Sequence, residues 1–168
     1  MIKPRTKTPD IQINLVNDAK WKLSDQNPAE FSLIVVYRGK HCPICKSYLE
    51  TLQQHLSKFA EKGVNVIAIS SDKEEVAKAS YKEWDIAEVP VGYEFPIEEA
   101  REWGLYISEG IKDEPKHFIE PALFLIRPDQ TLYASSIQTM PFARPKIEDL
   151  LKSLDFVINK DYPARGEA

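Results

Sequence analysis

The stretch "FSLIVVYRGKHCPICKSYLETLQQHLSKFAEKG", Phe31 to Gly63, changes its periodicity at Pro43. Ahead of that residue, Phe31–Tyr37 is a continuous apolar, β-branched run, as in a strand buried on both faces. Beyond it, Cys45, Leu49, Leu52, Leu56 and Phe59 recur at the three- and four-residue spacings of one helical face. Pro43 suits the first helical position, where its missing N–H has no partner to lose, and Gly63 stops the helix from the C′ position. The stretch therefore predicts a buried strand feeding a helix whose N-cap is Cys42.

Working outward, "VNVIAIS" (Val64–Ser70) is a second buried strand, and Ser71 or Asp72 is expected to cap the helix "KEEVAKASYKEW". "IQINLV" (Ile11–Val16) alternates apolar and polar side chains, as in a strand with one wet face. Strand, helix, strand, helix implies an α/β chain with parallel strands joined by crossovers. "ALFLI" (Ala122–Ile126) and "TLYASSI" (Thr131–Ile137) flank "RPDQ", whose proline in the second place of a turn predicts a hairpin. "PIEEAREWG" reads as a short helix with Pro96 at N1, and a last helix spans about Lys146 to Ile158. The rest of Ile86–His117 has no firm assignment, and the tail from about 159 to 168 is expected to fray.

A length of 168 residues suits a single domain. Its 43% hydrophobic and 29% charged content is ordinary for a soluble globular protein, and a net charge of −4 speaks against a general nucleic-acid surface. "MIKPRTKTPD" is basic but leads into no apolar stretch, so no secretory signal is expected, and no run is long enough for a membrane span. The expected location is cytoplasmic, where thiols are kept reduced. A structural disulfide is then a poor account of Cys42 and Cys45, which would close only a very small loop.

The two cysteines lie among Arg38, Lys40, His41 and Lys46, and the first acid after them is Glu50. A thiolate at Cys42 would accept hydrogen bonds from free N–H groups of the first helical turn and sit at the positive end of the helix dipole. Basic neighbours and a helix N-terminus both favour the thiolate, the reactive form. Cys45 shares the apolar stripe and should face inward, and Cys42 should be the more exposed. That division suits an accessible attacking sulfur and a sheltered resolving one. Half a zinc site, with ligands from His41, His55 or His117, is the weaker alternative, because no second pair has ligand spacing. The three tryptophans, Trp21, Trp84 and Trp103, fall at element ends and read as packing residues. No glycine-rich phosphate loop is present, so no bound nicotinamide or flavin is implied. Electrons would arrive from another thiol through a mixed disulfide.

"LIVVYRGKHCPICKSYLETL" resembles the active-site strand, loop and helix of thioredoxin-fold proteins, most of all the alkyl hydroperoxide reductase/thiol-specific antioxidant (AhpC/TSA) family in its peroxiredoxin-like branch. The likeness continues through "VNVIAISSD" and "EPALFLIRPDQTLYASSIQTMPFARP". It implies a thioredoxin-like fold, a central mixed sheet flanked by helices on both faces. It implies a thiol oxidoreductase acting on peroxide or disulfide substrates, with Cys42 and Cys45 catalytic. The implied reductant is a thioredoxin-like protein or a glutathione-type thiol. Pro121 matches the proline that is typically cis beside the active-site loop in this fold. The sequence departs from peroxiredoxins in two places. Cys42 stands where they carry a threonine, which puts Cys45 on the peroxidatic position. A thioredoxin-style register instead makes Cys42 the attacking sulfur, and its expected access favours that choice. Pro121 stands where they carry an arginine, so polarising a peroxide falls to Arg38 or Arg144. Arg144 reads equally well as a surface salt-bridge residue or a helix-start residue. A redox-responsive binding module, whose disulfide state alters a recognised surface, is the competing reading, and catalytic turnover separates the two.

Overall fold

The computed structural model describes residues 1–168. Its centre is the pair of apolar runs, Phe31–Val36 and Val64–Ile69, lying parallel and in register from Phe31 opposite Val64 to Val36 opposite Ile69. In chain order the elements are β1 (Gln12–Leu15), β2 (Lys20–Lys22), β3 (Phe31–Val36), α1 (Pro43–Glu61), β4 (Val64–Ile69), α2 (Glu74–Glu83), β5 (Val91–Tyr93), α3 (Ile97–Glu102), β6 (Ile107–Glu109), β7 (His117–Ile119), β8 (Ala122–Ile126), β9 (Leu132–Ile137) and α4 (Ile147–Asn159). Seven strands form one mixed sheet in the order β2-β1-β5-β4-β3-β8-β9, and β6 and β7 form a separate antiparallel pair. β3, β4 and β5 are parallel, and β1 and β8 run antiparallel to the strands they border.

All six residues of β3 are buried, as its uninterrupted apolar run requires. Leu33 and Val35 pack with Leu49, Leu52 and Phe59 of α1 and Leu151 and Leu154 of α4. Ile34 and Val36 point to the opposite face, toward Phe95, Ala100 and Trp103 around α3. This is the thioredoxin-like arrangement, a mixed sheet with helices on both faces. Trp84 and Trp103 are buried and Trp21 is half-buried, as packing residues should be. Gly63, at φ +74°, takes the left-handed turn that ends α1. The β8–β9 hairpin closes with Gln130 N–H donating to Arg127 O at 2.8 Å.

Four local expectations are corrected. Helix α2 takes Lys73, not Ser71 or Asp72, at its N-cap position, because Asp72 is drawn inward to a different partner described below. Pro96 is the N-cap of α3 and not its first helical residue. The tail does not fray: Tyr133 donates through its hydroxyl to Tyr162 O at 2.9 Å, Arg5 Nε donates to Ala164 O at 3.1 Å, and Ala164 is only 5% exposed. Every peptide bond is trans, so Pro121 is not a cis proline. The chain runs extended from β7 into β8 and is pinned on both sides of this bond. Glu120 N–H donates to Tyr106 O at 2.8 Å, and Gln138 N–H donates to Pro121 O at 2.9 Å. The short strands β5, β6 and β7 were not legible, since three residues are too few to display a period.

Candidate active site

Strand β3 ends at Val36 beside the end of β4 and opposite Ala122, the first residue of β8. The connection to α1 leaves from there. Tyr37 N–H continues the ladder to Ile69 O at 3.0 Å, and the chain then turns, with Cys42 N–H donating to Gly39 O at 3.2 Å. Gly39 has φ +137°, and a Cβ there would fall 2.3 Å from Asp72 Oδ1. Glycine lets the loop sit directly on that carboxylate, which accepts Lys40 N–H at 2.8 Å.

Cys42 is the N-cap of α1, and its Sγ accepts Cys45 N–H at 3.2 Å. The two sulfurs are joined as a disulfide. Cys45 is fully buried, as its place on the apolar stripe predicts. Cys42 is the outer of the two, but by a small margin: it is 4% exposed. The expectation of an openly accessible Cys42 is corrected to a recessed one. Its cap hydrogen bond draws the sulfur over the first turn, and both sulfurs join the core beneath α1.

The surrounding charge differs from the sequence picture. Arg38 is held by a fork of two bonds to Glu120, Nε to Oε2 at 2.7 Å and Nη2 to Oε1 at 3.0 Å, and Ser108 Oγ donates to the same carboxylate at 2.5 Å. Lys40 pairs with Glu83 at 2.9 Å, and Lys46 with Glu50 at 2.7 Å. His41 packs edge-on against Phe118, and burial pushes its pKa down, so it adds no charge at neutral pH. Three of the four expected cations are therefore answered by acids, two of them distant in sequence, and the fourth is neutral.

Arg144 is the exception. It lies just beyond a short 3-10 turn, Pro141–Ala143, is 9% exposed, and pairs with no carboxylate. Its Nη2 donates to Val36 O at 3.1 Å and lies 3.5 Å from Cys45 Sγ. Its Nε and Nη1 have no partner. Burial lowers its pKa to about 10, which still leaves it protonated at neutral pH. The reading of Arg144 as a surface salt-bridge residue is thus overturned. Of the two arginines considered for polarising a peroxide, the structure brings Arg144 to the inner sulfur and commits Arg38 to Glu120. Pro121 borders the site through Glu120, whose carboxylate ties it to the active-site loop. Tyr48 was missed: its ring lies 4.7 Å beneath the Arg144 guanidinium, and its hydroxyl donates to Pro145 O at 2.8 Å. Its position three residues after Cys45, one turn along the same helix, was the available signal.

No three His, Cys, Asp or Glu side chains gather as a metal would require, and no helix is long and apolar enough to cross a membrane. The arrangement can store two electrons in a dithiol and return them as a disulfide, with a cation against the inner sulfur.

Comparison with known proteins agrees with this fold. No curated protein matches the sequence. Among solved structures, a cysteine-to-serine mutant of the peroxiredoxin 6 of Arenicola marina superposes with a TM-score of 0.82 at 17% identity, covering 96% of this chain and 76% of that one. A yeast mitochondrial 1-Cys peroxiredoxin gives 0.80 at 11% identity, covering 96% and 78%. AhpC of Enterococcus faecalis gives 0.77 at 20% identity, covering 98% and 99%. At these identities the structures speak for the fold alone. The family match is made on the sequence, over residues 4–135. That span holds the dithiol, its loop and the sheet that carries them, and the chain accordingly belongs to the AhpC/TSA family, as a thiol-dependent oxidoreductase.

Proposed function

We propose that the protein cycles Cys42 and Cys45 between dithiol and disulfide, with Cys42 as the sulfur that exchanges with outside partners. The observation that carries this is the unequal placement of the two sulfurs: the outer one caps α1, and the inner one lies 3.5 Å from Arg144 Nη2. A Cys42 thiolate attacks a substrate disulfide and releases one thiol, leaving a mixed disulfide at Cys42. The Cys45 thiolate then attacks Cys42 Sγ, releasing the second thiol and closing the internal disulfide. Resetting runs in reverse: a reducing thiol attacks Cys42 Sγ, and Cys45 leaves as a thiolate stabilised by Arg144. A second reducing thiol completes the cycle. A thioredoxin-like protein or a glutathione-type thiol fits this role. The yeast relative named above is described as having its thiol resolved via glutathione and thioredoxin systems. The chemistry suits a cytoplasmic, reducing setting.

A second reading is favoured by the same arginine. A Cys45 thiolate beside Arg144 could attack a peroxide, giving a Cys45 sulfenic acid and releasing an alcohol or water. Cys42 would then condense with it, releasing water and forming the same disulfide. Arg144, with Nε and Nη1 free, would supply from another part of the chain the guanidinium that Pro121 replaces.

Single Cys→Ser variants decide between the two. The leading reading expects Cys45→Ser to trap a mixed disulfide with a small disulfide probe, and Cys42→Ser to lose capture and turnover. Peroxide oxidation of Cys45 to sulfenic acid in Cys42→Ser, at the wild-type rate, would instead establish the peroxidase reading. A disulfide that forms and is reduced by dithiothreitol, with no catalytic turnover of either disulfide or peroxide, would remove both and leave the redox-responsive binding module.

A further inference from the structure

We propose that Tyr48 is a positioning residue for this site: its ring holds the Arg144 guanidinium against Cys45 without neutralising it. The proposal rests on the dithiol reading and adds to it a source for the inner sulfur's charge environment. Most buried arginines in proteins are paired with an acid, since an unpaired buried charge is costly. Arg144 has no such pair, although it is nine-tenths buried. Glu120, the acid whose charge it feels, is already forked by Arg38. The face of Tyr48 takes the place of a carboxylate, with Arg144 Cζ 4.7 Å from the ring centroid.

A ring face attracts a cation through its quadrupole yet carries no net charge. The guanidinium is held in place, and its full positive charge remains available to a thiolate 3.5 Å from Nη2. A carboxylate in the same place would hold the arginine as well and cancel the charge. Tyr48 also fixes the chain that delivers the arginine, because its hydroxyl bonds Pro145 O, the residue after Arg144. One side chain on α1 thus grips the segment at two adjacent residues, one turn along from Cys45.

The test uses the full chain carrying Cys42→Ser, so that Cys45 is the sole thiol, and reads its alkylation rate and thiolate absorbance against pH. Tyr48→Phe keeps the ring and loses only the bond to Pro145 O, so it should shift the Cys45 titration less than Tyr48→Gln does. Tyr48→Glu and Tyr48→Gln share a shape and differ in charge, so their difference isolates the charge that the sulfur feels. Tyr48→Glu should show a higher Cys45 pKa than Tyr48→Gln; each unit of difference lowers the alkylation rate about tenfold below both pKa values. Equal Cys45 titrations in the Glu and Gln variants, both folded by circular dichroism, would overturn the proposal. So would a Tyr48→Phe variant shifted as far as Tyr48→Gln. Dithiol cycling in the otherwise unaltered protein is scored separately: its loss overturns the dithiol reading, whereas intact cycling with charge-blind Tyr48 variants overturns this proposal alone.

Discussion

Asp72 lies beneath the active-site loop, 5% exposed and with no cation in ion-pair contact. Burial pushes its pKa up to about 6 from an ordinary 3.8, against the opposing pull of the Lys40 N–H and the Lys40 charge. The sign of the consequence follows from linkage. The folded state holds this proton more tightly than the unfolded chain does, so stability falls as pH rises from about 4 through about 6, and the cost persists above. A shift of this size corresponds to about 3 kcal/mol. Asp72→Asn keeps an acceptor for Lys40 N–H and removes the charge. Urea unfolding should therefore find the Asn variant more stable at pH 7 by up to about 3 kcal/mol, with the gap closing toward pH 4. His41, whose pKa burial lowers, works the other way as pH falls below 6.5, but it is common to both proteins and cancels in the difference. A gap that stays constant from pH 4 to 7 would mean Asp72 titrates as an ordinary carboxyl.

Helix α1 is held at its start by a sulfur. Because Cys42 Sγ accepts the Cys45 N–H, this side chain has a structural duty separate from its chemistry. With the protein kept reduced, Cys42→Ser retains a side-chain cap and Cys42→Ala removes it. The Ala variant should be less stable than the Ser variant by about 1 kcal/mol, or about 2–4 °C in melting temperature for a chain of this size. Coincident melting curves for the two would show that the cap contributes nothing. This helix was also the part of the molecule most open to reading. Its apolar stripe, Pro43 at the start and Gly63 at the end are local signals, and they gave the strand, the helix and the Cys42 cap together. What surrounds the cap was hidden because it is assembled from far along the chain. The basic cluster is visible in sequence, but Glu83 and Glu120, which answer Lys40 and Arg38, are set beside it only by the fold. The isomer of Pro121 is fixed by bonds to Tyr106 and Gln138, which no local pattern announces. Arg144 was a candidate, yet its burial, its bare charge and its Tyr48 support are all tertiary facts.

Both ends of the chain converge on β9, the last strand of the sheet. Near the N-terminus, Arg5 N–H donates to Leu132 O at 2.8 Å and Leu132 N–H to Thr6 O at 3.0 Å. The tail returns past the end of α4, where Tyr162 N–H donates to Val157 O at 2.9 Å and Ala164 enters the core beside Tyr133 and Leu154. The two ends also meet directly through Arg5 and Ala164. Helix α4 is thus fastened twice: its start follows the Arg144–Pro145 segment gripped by Tyr48, and its end is covered by the tail. Two long-range hydrogen bonds at about 1 kcal/mol each, plus the buried Ala164, offset by the cost of ordering a short segment, leave a net contribution of about 1–3 kcal/mol. Removing residues 161–168 should therefore lower the melting temperature by several degrees. It should leave the alkylation rate of the reduced thiols unchanged, because the tail meets β9, the N-terminal segment and the far end of α4, and a frayed last turn need not disturb the first. A truncated protein that melts like the full chain would show that the docked tail adds no net stability. One whose thiols also change reactivity would show instead that α4 carries strain from its tail to Arg144, making the sheet edge and the active site a single cooperative unit.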